Sequence, residues 1–533
     1  MCHDNDRQRG TLATHTWEIL VSAFVREGEM KQKSPVTCLR SLLLKVLGLA
    51  FVYLVAALLQ PAWAQKKNVV DPSQNVNWAA GAVGHAQKMR NSFTGHDVDK
   101  SSQAAPEDIP KLGIHSDASG RVATFQPSGA TDTGQNAFFQ NLGTNGRTCF
   151  SCHQPQDGWT ISAASASARF EASAGTDPLF RLIDGATCPT DDVSTLEARR
   201  QAYKLLREKG LIRIGMSLPA NSHFDVRVDK DPYGCNTNTV TGLQSSTLGT
   251  VSIYRRPLPS TNLGFVKDTA IMWDGREPSL LSQSVHATRI HAEAANDPTD
   301  EQQAEIVAFE MGIFTAQIFD NQAHELHAAR ATGGPEALYQ QLSKFFVGVN
   351  DLGPNFNPNI FDLYKPWLDL PAAKGEAQDR KSVARGEEVF NTTKIKITGV
   401  AGLPDMDGFC GTCHDSPNVG NHSVRAPLNI GIADAGNNNS LDTSYLPVFT
   451  LTCNDDKQTF VVTDPGRALI TGDCADIGKF KGPILRGLAA RAPYFHNGSA
   501  ATLMEVVNFY NQRFGIGLTA QQKDDLVNFL KTL

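Results

Sequence analysis

The sequence predicts a mainly α-helical protein with two domains, long loops and an insertion in the first domain. Three observations support this prediction. The pattern Cys-x-x-Cys-His occurs twice, at residues 149–153 and 410–414. Segments with helical periodicity flank both copies, and the last two of these segments start with capping-box spacing. The chain has 533 residues, which is more than one typical domain.

Each copy of the pattern is the attachment signature of a c-type haem. Two thiols three positions apart form thioethers with both vinyl groups of a porphyrin, and the adjacent histidine can ligate the iron. Zinc sites and thioredoxin-like sites also use two cysteines at this spacing, but neither needs the histidine. The sequence therefore predicts two covalent haems. The residues expected to hold them are Cys149, Cys152 and His153 in the first half, and Cys410, Cys413 and His414 in the second.

The N-terminus predicts export. Basic residues from Lys31 to Lys45 precede an apolar stretch over residues 46–59, and Ala62-Trp63-Ala64 has the pattern of a cleavage site. The stretch is too short for a comfortable membrane span, with an uncleaved anchor as the alternative. The acidic residues before Met30 do not suit a leader, so we expect translation to begin at Met30. Residues 1–64 are thus predicted to be a leader that is removed.

Four cysteines lie outside both the leader and the haem motifs. Pairing neighbours gives one disulfide in each half of the chain, which suits an oxidising compartment. The other connectivities stay open on the sequence alone. The pairs expected are Cys188 with Cys235 and Cys453 with Cys474.

The charge balance argues against nucleic acid as a partner. The chain carries 49 Lys and Arg against 55 Asp and Glu, a formal net charge of −6. No basic run or basic helix face stands out, as nucleic-acid binding would require. An acidic surface is suited to steer a basic small electron carrier, although ordinary solubility is the simpler explanation.

The first predicted domain covers residues 134–375 and follows a polar, loop-rich lead-in over residues 65–133. A short aromatic helix over residues 135–142 precedes the first motif. The segment from about residue 162 to 251 is interpreted as an insertion with one clear helix over residues 194–209. The other helices of this domain are predicted at residues 279–294, 299–328 and 335–346.

The second predicted domain covers residues 376–533, after a linker at residues 368–380 that is rich in Pro, Ala and charged residues. Its order is a helix over residues 382–390, the second motif, a loop-rich middle and two final helices. The last helix has one apolar face, which indicates that it covers a core. The capping-box pairs that start the two final helices are Thr502 with Glu505 and Thr519 with Gln522.

Two further strings, each preceded by one haem motif, resemble the bacterial diheme cytochrome c peroxidase/MauG family. They are Met272-Trp273-Asp274-Gly275-Arg276 and Ala492-Pro493-Tyr494-Phe495-His496-Asn497-Gly498. The resemblance covers residues 134–533. It implies two cytochrome c-like α-helical domains with one haem each, an active site on the N-terminal haem and a tryptophan between the two haems.

The resemblance implies roles for individual residues. His153 would be the proximal ligand of the peroxidatic haem and His414 that of the electron-transfer haem. Trp273 would be the bridging aromatic, the alternative being a core tryptophan in a turn. Arg276 would either contact a haem propionate or pair locally with Asp274.

Peroxide chemistry needs an open iron and a group that moves a proton as the O–O bond breaks. In the family a distal glutamate lies twenty positions after the tryptophan, which leads to Glu293 here, with His291 as the neighbouring acid/base candidate. The alternative is that Glu293 is a solvated residue at a helix end.

The loop after His153 contains no histidine in residues 154–159, where some peroxidases carry a second ligand. A permanently five-coordinate iron is therefore expected on the first haem. The remote histidines that remain as alternative ligands are His223, His286 and His291.

The second haem departs from the peroxidase pattern. Tyr510 stands fourteen positions after His496, where peroxidases have Met and MauG-type proteins have Tyr. An anionic phenolate stabilises high-valent iron better than a thioether does. The alternatives are that Tyr510 is a core residue on an apolar helix face, or that Met504 or His422 is the ligand.

The resemblance also bears on calcium, which family members often bind between the domains through backbone oxygens. Pro493 matches one of these positions. Arg491 stands two residues earlier in place of Thr, and the upstream Asn is replaced near Arg256-Pro257. These departures argue against calcium here.

The function implied is a periplasmic peroxidase that reduces H2O2 with electrons from a small c-type cytochrome or a cupredoxin. A MauG-like oxidase or oxygenase acting on a protein or organic substrate is the second hypothesis. The third is a diheme cytochrome that transfers electrons without catalysis, against which an open iron argues because a carrier does not need one.

Overall fold

The computed structural model describes residues 105–238, 242–243, 250–266, 271–371, 374–422, 427–436 and 440–533. The chain divides into two units, Met1–Asp71 and Pro72–Leu533, and all described residues belong to the second. The predicted leader and most of the predicted lead-in lie outside the described residues. In the part that the structure describes, no helix is long and apolar enough to cross a membrane.

The two final helices begin where their caps predict. Thr502 accepts a hydrogen bond from the amide of Glu505, and Thr519 accepts one from Gln522, whose side chain returns to the amide of Thr519. The α-helices of the described residues are α1 Ala163–Ser173, α2 Leu196–Ala202, α3 Lys204–Lys209, α4 Leu280–His291, α5 Asp300–Gly312, α6 Pro335–Gln341, α7 Glu376–Thr392, α8 Ala468–Thr471, α9 Leu503–Arg513 and α10 Ala520–Lys531.

The β-strands are short and form small antiparallel sheets. The larger ones have the orders β11-β10-β3-β2 and β15-β14-β6. The strands of the described residues are β1 Asp108–Ile109, β2 Leu112–Ser116, β3 Gly120–Phe125, β4 Thr131–Asp132, β5 Ile212–Ser217, β6 Phe224–Lys230, β7 Thr237–Asn238, β8 Gly242–Leu243, β9 Thr250–Arg255, β10 Phe314–Asp320, β11 His324–Glu325, β12 Ile395–Ile397, β13 Met406–Gly408, β14 Val448–Cys453 and β15 Thr459–Val462.

The fold is less helical than the mainly α prediction. The helix predicted over residues 299–328 ends at Gly312, and strand β10 follows it. β10 pairs with β3, which lies in the segment predicted to be a loop-rich lead-in, with Phe314 opposite Phe125 and Ala316 opposite Ala123. The stabilisation that these strands gain from burial against the first half of the chain outweighs the helical preference of the local sequence.

The segment predicted as an insertion is built into the fold through its strands. In β6, Phe224, Val226 and Val228 are buried and alternate with exposed residues, a period of two that the helix-based prediction overlooked. β6 pairs with β14 of the second half, for example Val226 with Leu451. The insertion therefore joins the two halves of the chain.

The remaining helix predictions hold in part. In place of the helix predicted over residues 135–142, the chain has two short 3-10 turns at Thr133–Gln135 and Ala137–Phe139. The helix predicted over residues 194–209 is divided into α2 and α3 at Tyr203. The predicted linker at residues 368–380 already contains the start of α7, which begins at Glu376.

Both predicted disulfides are confirmed. Cys188 bonds to Cys235 with a Cα–Cα distance of 5.4 Å, and Cys453 bonds to Cys474 with a Cα–Cα distance of 6.0 Å. The four cysteines of the haem motifs are free and half-buried. They remain available for attachment of a cofactor.

Helices α7 and α10 pack closely because α7 carries a glycine at the contact. A Cβ at Gly386 would lie 2.0 Å from the carbonyl oxygen of Asp525 in α10. The carboxylate of Asp525 accepts hydrogen bonds from Arg385 at 2.7 and 2.8 Å and from Ser382 at 2.6 Å. An aromatic core that includes Phe529 lies beside this contact. The pair forms the scaffold behind the second haem motif.

We expect Gly386→Ala to lower the free energy of unfolding by about 1–3 kcal/mol, because the added methyl group forces the two helices apart. Denaturant unfolding followed by circular dichroism measures this. Gly312→Ala is the matched control, since Gly312 ends α5 and a Cβ added there would meet no atom within 4 Å. Helix propensity predicts that the control gains up to about 1 kcal/mol. Equal effects of the two substitutions would contradict the close packing.

Two candidate haem cavities

The first motif opens into a cavity of about 1580 Å³, including its open mouth. Cys149, Cys152 and His153 all line it, on a 3-10 turn whose first residue follows the cap Thr148. Aromatic residues such as Phe138 and Trp159 pack behind this turn. The two thiols and the histidine thus face one cavity, as covalent attachment of a haem requires.

The ring of His153 is oriented as a metal ligand. Its Nδ1 lies 2.8 Å from the carbonyl oxygen of Trp159 and 2.9 Å from Oγ of Ser260. A carbonyl only accepts hydrogen bonds, so Nδ1 carries the hydrogen and Nε2 keeps its lone pair for a metal. Desolvation lowers the pKa of His153 to about 4, which keeps the ring neutral.

The second motif repeats this arrangement in a cavity of about 1870 Å³, including its open mouth. Cys410, Cys413 and His414 line it, and Nδ1 of His414 lies 2.8 Å from the carbonyl oxygen of Gly420. Burial raises the pKa of Cys410 and Cys413 to about 12, unlike the lowered values of reactive dithiol sites. The residues of both motifs therefore fit covalently attached haem.

Of the two predicted acid/base residues, the structure brings His291 to the first cavity. Nδ1 of His291 lies 2.6 Å from Oδ2 of Asp184, and Oδ1 of Asp184 accepts from Arg147 at 2.5 Å. Burial alone would raise the pKa of Asp184, but Arg147 and His291 outweigh burial and lower it. An ionised carboxylate therefore holds Nδ1 of His291 and leaves Nε2 as the free nitrogen.

Glu293 lies two residues after His291, and its distal role stays a prediction. Helix α4 ends at His291, and Glu293 adopts a left-handed backbone conformation with φ of 53°. Its carboxylate accepts from the side-chain amide of Asn145 at 3.0 Å. Glu293 is not one of the described residues that line the first cavity. The physical reason for the position of Glu293 is the turn after α4.

The half-buried ring of Trp273 lines both cavities, and its bridging role stays a prediction. Its Nε1 donates to the carbonyl oxygen of Arg256 at 2.8 Å, and its own carbonyl oxygen accepts from the amide of Lys481 at 2.7 Å. The indole is 6.1 Å from the ring of His496.

Arg276 lines the first cavity and pairs with Asp274 at 2.9 Å, which is the local alternative stated for it. Asp274 also binds Arg255 at 2.5 Å. Burial opposes ionisation of Asp274, but the two arginines lower its pKa to about 2. The positive charge of Arg276 is therefore neutralised by a carboxylate of the protein, that of Asp274.

The second cavity holds two candidates for the other iron ligand. Tyr510 and His422 both line it, whereas Met504 packs against the core of the C-terminal helices. Burial raises the pKa of Tyr510, so an anionic phenolate would need the charge of a bound metal. Nδ1 of His422 lies 3.2 Å from Asp415.

Among the remote histidines proposed as ligands of the first haem, His291 alone is a described residue that lines the first cavity. Nδ1 of His286 lies 2.8 Å from Glu277, and its side chain is 44% exposed. His223 is tied by its backbone to Gly472 and Asn454.

Several residues of the first cavity escaped the sequence prediction: Arg147, Asp184, Gln283, Glu310 and Lys481. The sequence contained a pattern that could have identified Glu310, because Glu310 shares the apolar face of α5 with the buried Ile306. Burial raises its pKa to about 8. Asp184 lies in a loop of the predicted insertion, where no periodic pattern points to it.

Comparison with known proteins finds a family model and a solved structure that resemble this chain. The family model described as RoxA-like, cytochrome c-like matches residues 479–515. Such a domain implies covalently bound haem c. A solved structure of a MauG-like protein associated with microbial copper homeostasis is 18% identical, with a TM-score of 0.35, and the match covers 75% of this chain and 86% of that one.

Curated relatives match parts of the sequence. Cytochrome-c peroxidase IdrP2 of Denitromonas iodatirespirans is 46% identical over 78 residues, 13% of this chain and 21% of the relative. IdrP2 of Pseudomonas sp. (strain SCT) is 35% identical over 135 residues, 23% of this chain and 35% of the relative. Cytochrome c551 peroxidase of Nitrosomonas europaea is 39% identical over 69 residues, 13% of this chain and 21% of the relative.

The chain thus spans between 21% and 35% of the length of these relatives. The matches are to peroxidases of the kind that the two haem motifs and the two family strings indicated. The resemblance is therefore confirmed: this chain has homologues among diheme cytochrome-c peroxidases, over the part of their length that it matches.

Proposed function

We propose that this protein is a periplasmic diheme c-type peroxidase, which reduces H2O2 in the first cavity with electrons that arrive by way of the second. The observation that carries the proposal is that His153 and His291 line the same cavity but have different hydrogen-bond partners. His153 presents a free Nε2 suited to iron, whereas His291 is held by the ionised Asp184. The peroxidase relatives support the reaction class.

Haem bound in the first cavity would supply the iron that binds peroxide and the electrons that reduce it. The chain's own part is to move a proton from the inner to the outer oxygen as the O–O bond breaks. Since Nδ1 of His291 donates to Asp184, Nε2 can accept this proton and return it. Arg147 keeps Asp184 ionised and thereby holds the ring in this tautomer.

Trp273 is the proposed route for charge between the cavities, because its ring lines both. The donor is proposed to be a small c-type cytochrome or a cupredoxin. The periplasm is proposed because the N-terminus has the pattern of an export signal and two disulfides form in the folded chain.

Tyr510 favours a second candidate, a MauG-like oxidase or oxygenase that acts on a protein or organic substrate. It lines the second cavity, whereas the nearby Met504 does not belong to the described lining. A phenolate ligand favours oxidised iron and so suits storage of an oxidising equivalent. A haem with such a ligand differs from one that accepts electrons at a high reduction potential.

A turnover assay tests the proposed reaction. Purified holoprotein is mixed with H2O2 and a reduced small cytochrome, and oxidation of the cytochrome is followed by absorbance. The peroxidase proposal predicts catalytic oxidation that depends on H2O2. If peroxide changes the haem spectra but no donor is oxidised, the oxidase candidate is favoured. If peroxide changes nothing, both catalytic functions are refuted.

We expect His291→Gln to lower kcat/KM for H2O2 by about 10²–10⁴-fold, because it removes the group that moves the proton. Glu293→Gln is the matched control and should keep kcat/KM within about threefold, since the carboxylate of Glu293 accepts from Asn145 and is not part of the described cavity lining. Steady-state kinetics with both variants measures this. A larger loss in the Glu293 variant would restore Glu293 as the distal residue.

Tyr510→Phe should change the low-spin electron paramagnetic resonance signal of the second haem and leave the first haem unchanged, if Tyr510 is the second ligand. His422→Asn is the comparison, because His422 lines the same cavity. It should leave that signal intact. The reverse pattern would assign the ligand to His422.

A further inference from the structure

The two cavities share a wall that carries two cations. Arg256, Trp273 and Lys481 line both cavities. The amide of Lys481 and the carbonyl oxygen of Arg256 are the hydrogen-bond partners of Trp273. The charged side chains of Arg256 and Lys481 are thus placed at the junction by the same contacts that hold the bridging indole.

Arg256 is buried, and the carboxylate that favours its charge, that of the buried Asp157, lies beyond ion-pair distance. The side chain of Arg256 is 5% exposed, and its guanidinium donates to the carbonyl oxygens of Lys209 at 3.1 Å and Arg491 at 2.9 Å. Gly210 permits this approach, because a Cβ there would lie 1.9 Å from Nη1 of Arg256. No carboxylate of the described chain forms an ion pair with Arg256. Its pKa falls to about 10 because burial disfavours the charge.

Lys481 is half-buried at the same junction. Its ammonium has no hydrogen-bond or ion-pair partner within the part of the chain that the structure describes, and burial lowers its pKa to about 8. The other buried arginines around the first cavity are paired with carboxylates: Arg147 with Asp184, and Arg255 with Asp274 and Asp464.

A buried cation without a close counter-charge is costly, and the chain avoids this cost for Arg147 and Arg255. Among the described residues of the two cavity walls, Arg256, Lys481 and Arg491 lack such a partner, and of these Arg256 and Lys481 line both cavities. An anion that enters with each cofactor would complete the pairs. Each haem carries two propionate carboxylates, which match an arginine and a lysine in charge and hydrogen bonding.

We propose that Arg256 and Lys481 form a single cationic anchor for the propionates of both haems, so that one pair of side chains sets the reduction potentials of the two haems together. The inference rests on the proposed function, since it requires a haem in each cavity. A positive charge near an iron disfavours the oxidised state, so the anchor raises both potentials. Because a change at the junction moves both potentials in the same direction, their difference, which drives transfer between the haems, is preserved.

The test is spectroelectrochemical titration of Lys481→Met and Arg256→Met holoproteins. We expect both midpoint potentials to fall, each by about tenfold in the one-electron equilibrium constant, or about 59 mV. Arg491→Met is the matched control, because Arg491 is buried without a described carboxylate partner but lines only the second cavity. It should lower the potential of the second haem alone.

If Lys481→Met leaves both potentials unchanged or shifts only one, the shared anchor is refuted. Lys481→Met decides the question if Arg256→Met fails to fold, since the Lys481 side chain makes no hydrogen bond in the described structure. Haem content is measured first by mass spectrometry and pyridine haemochrome. Fewer than two haems in the wild-type protein would refute the proposed function itself, which separates that failure from failure of the anchor.

Discussion

The geometry of both cavities depends on two hydrogen bonds made by Trp273. Its indole N–H binds the carbonyl oxygen of Arg256, and its carbonyl oxygen binds the amide of Lys481. The first bond joins two segments of the first half of the chain, and the second joins the first half to the second half. Strand pairing of β6 with β14 joins the halves at another place. The common wall of the cavities therefore belongs to both halves.

The two haem motifs have the same internal geometry and differ in what surrounds them. In each, the histidine Nδ1 is bound to a carbonyl oxygen six residues later, which leaves Nε2 free. His291, held by Asp184, faces the first cavity, whereas Tyr510 faces the second. The same motif geometry thus combines with the proposed proton-handling residue at one cavity and a candidate second ligand at the other.

The sequence predicted the features that depend on local chemistry. The caps Thr502 and Thr519 and the neighbour pairing of Cys188 with Cys235 are examples. It failed where distant segments meet. Strand β10 is stabilised by pairing with β3, and Asp184 reaches the first cavity from a loop without periodicity. The count of twenty positions to Glu293 carries no information on the left-handed turn that follows α4, and the distal role of Glu293 stays a prediction.

Electron paramagnetic resonance of the resting ferric holoprotein, before and after H2O2, tests the central claim that the two haems are unequal. The account predicts one high-spin signal from the first haem and one low-spin signal from the second, with the high-spin signal lost when peroxide is added. Two low-spin signals that do not respond to peroxide would contradict it.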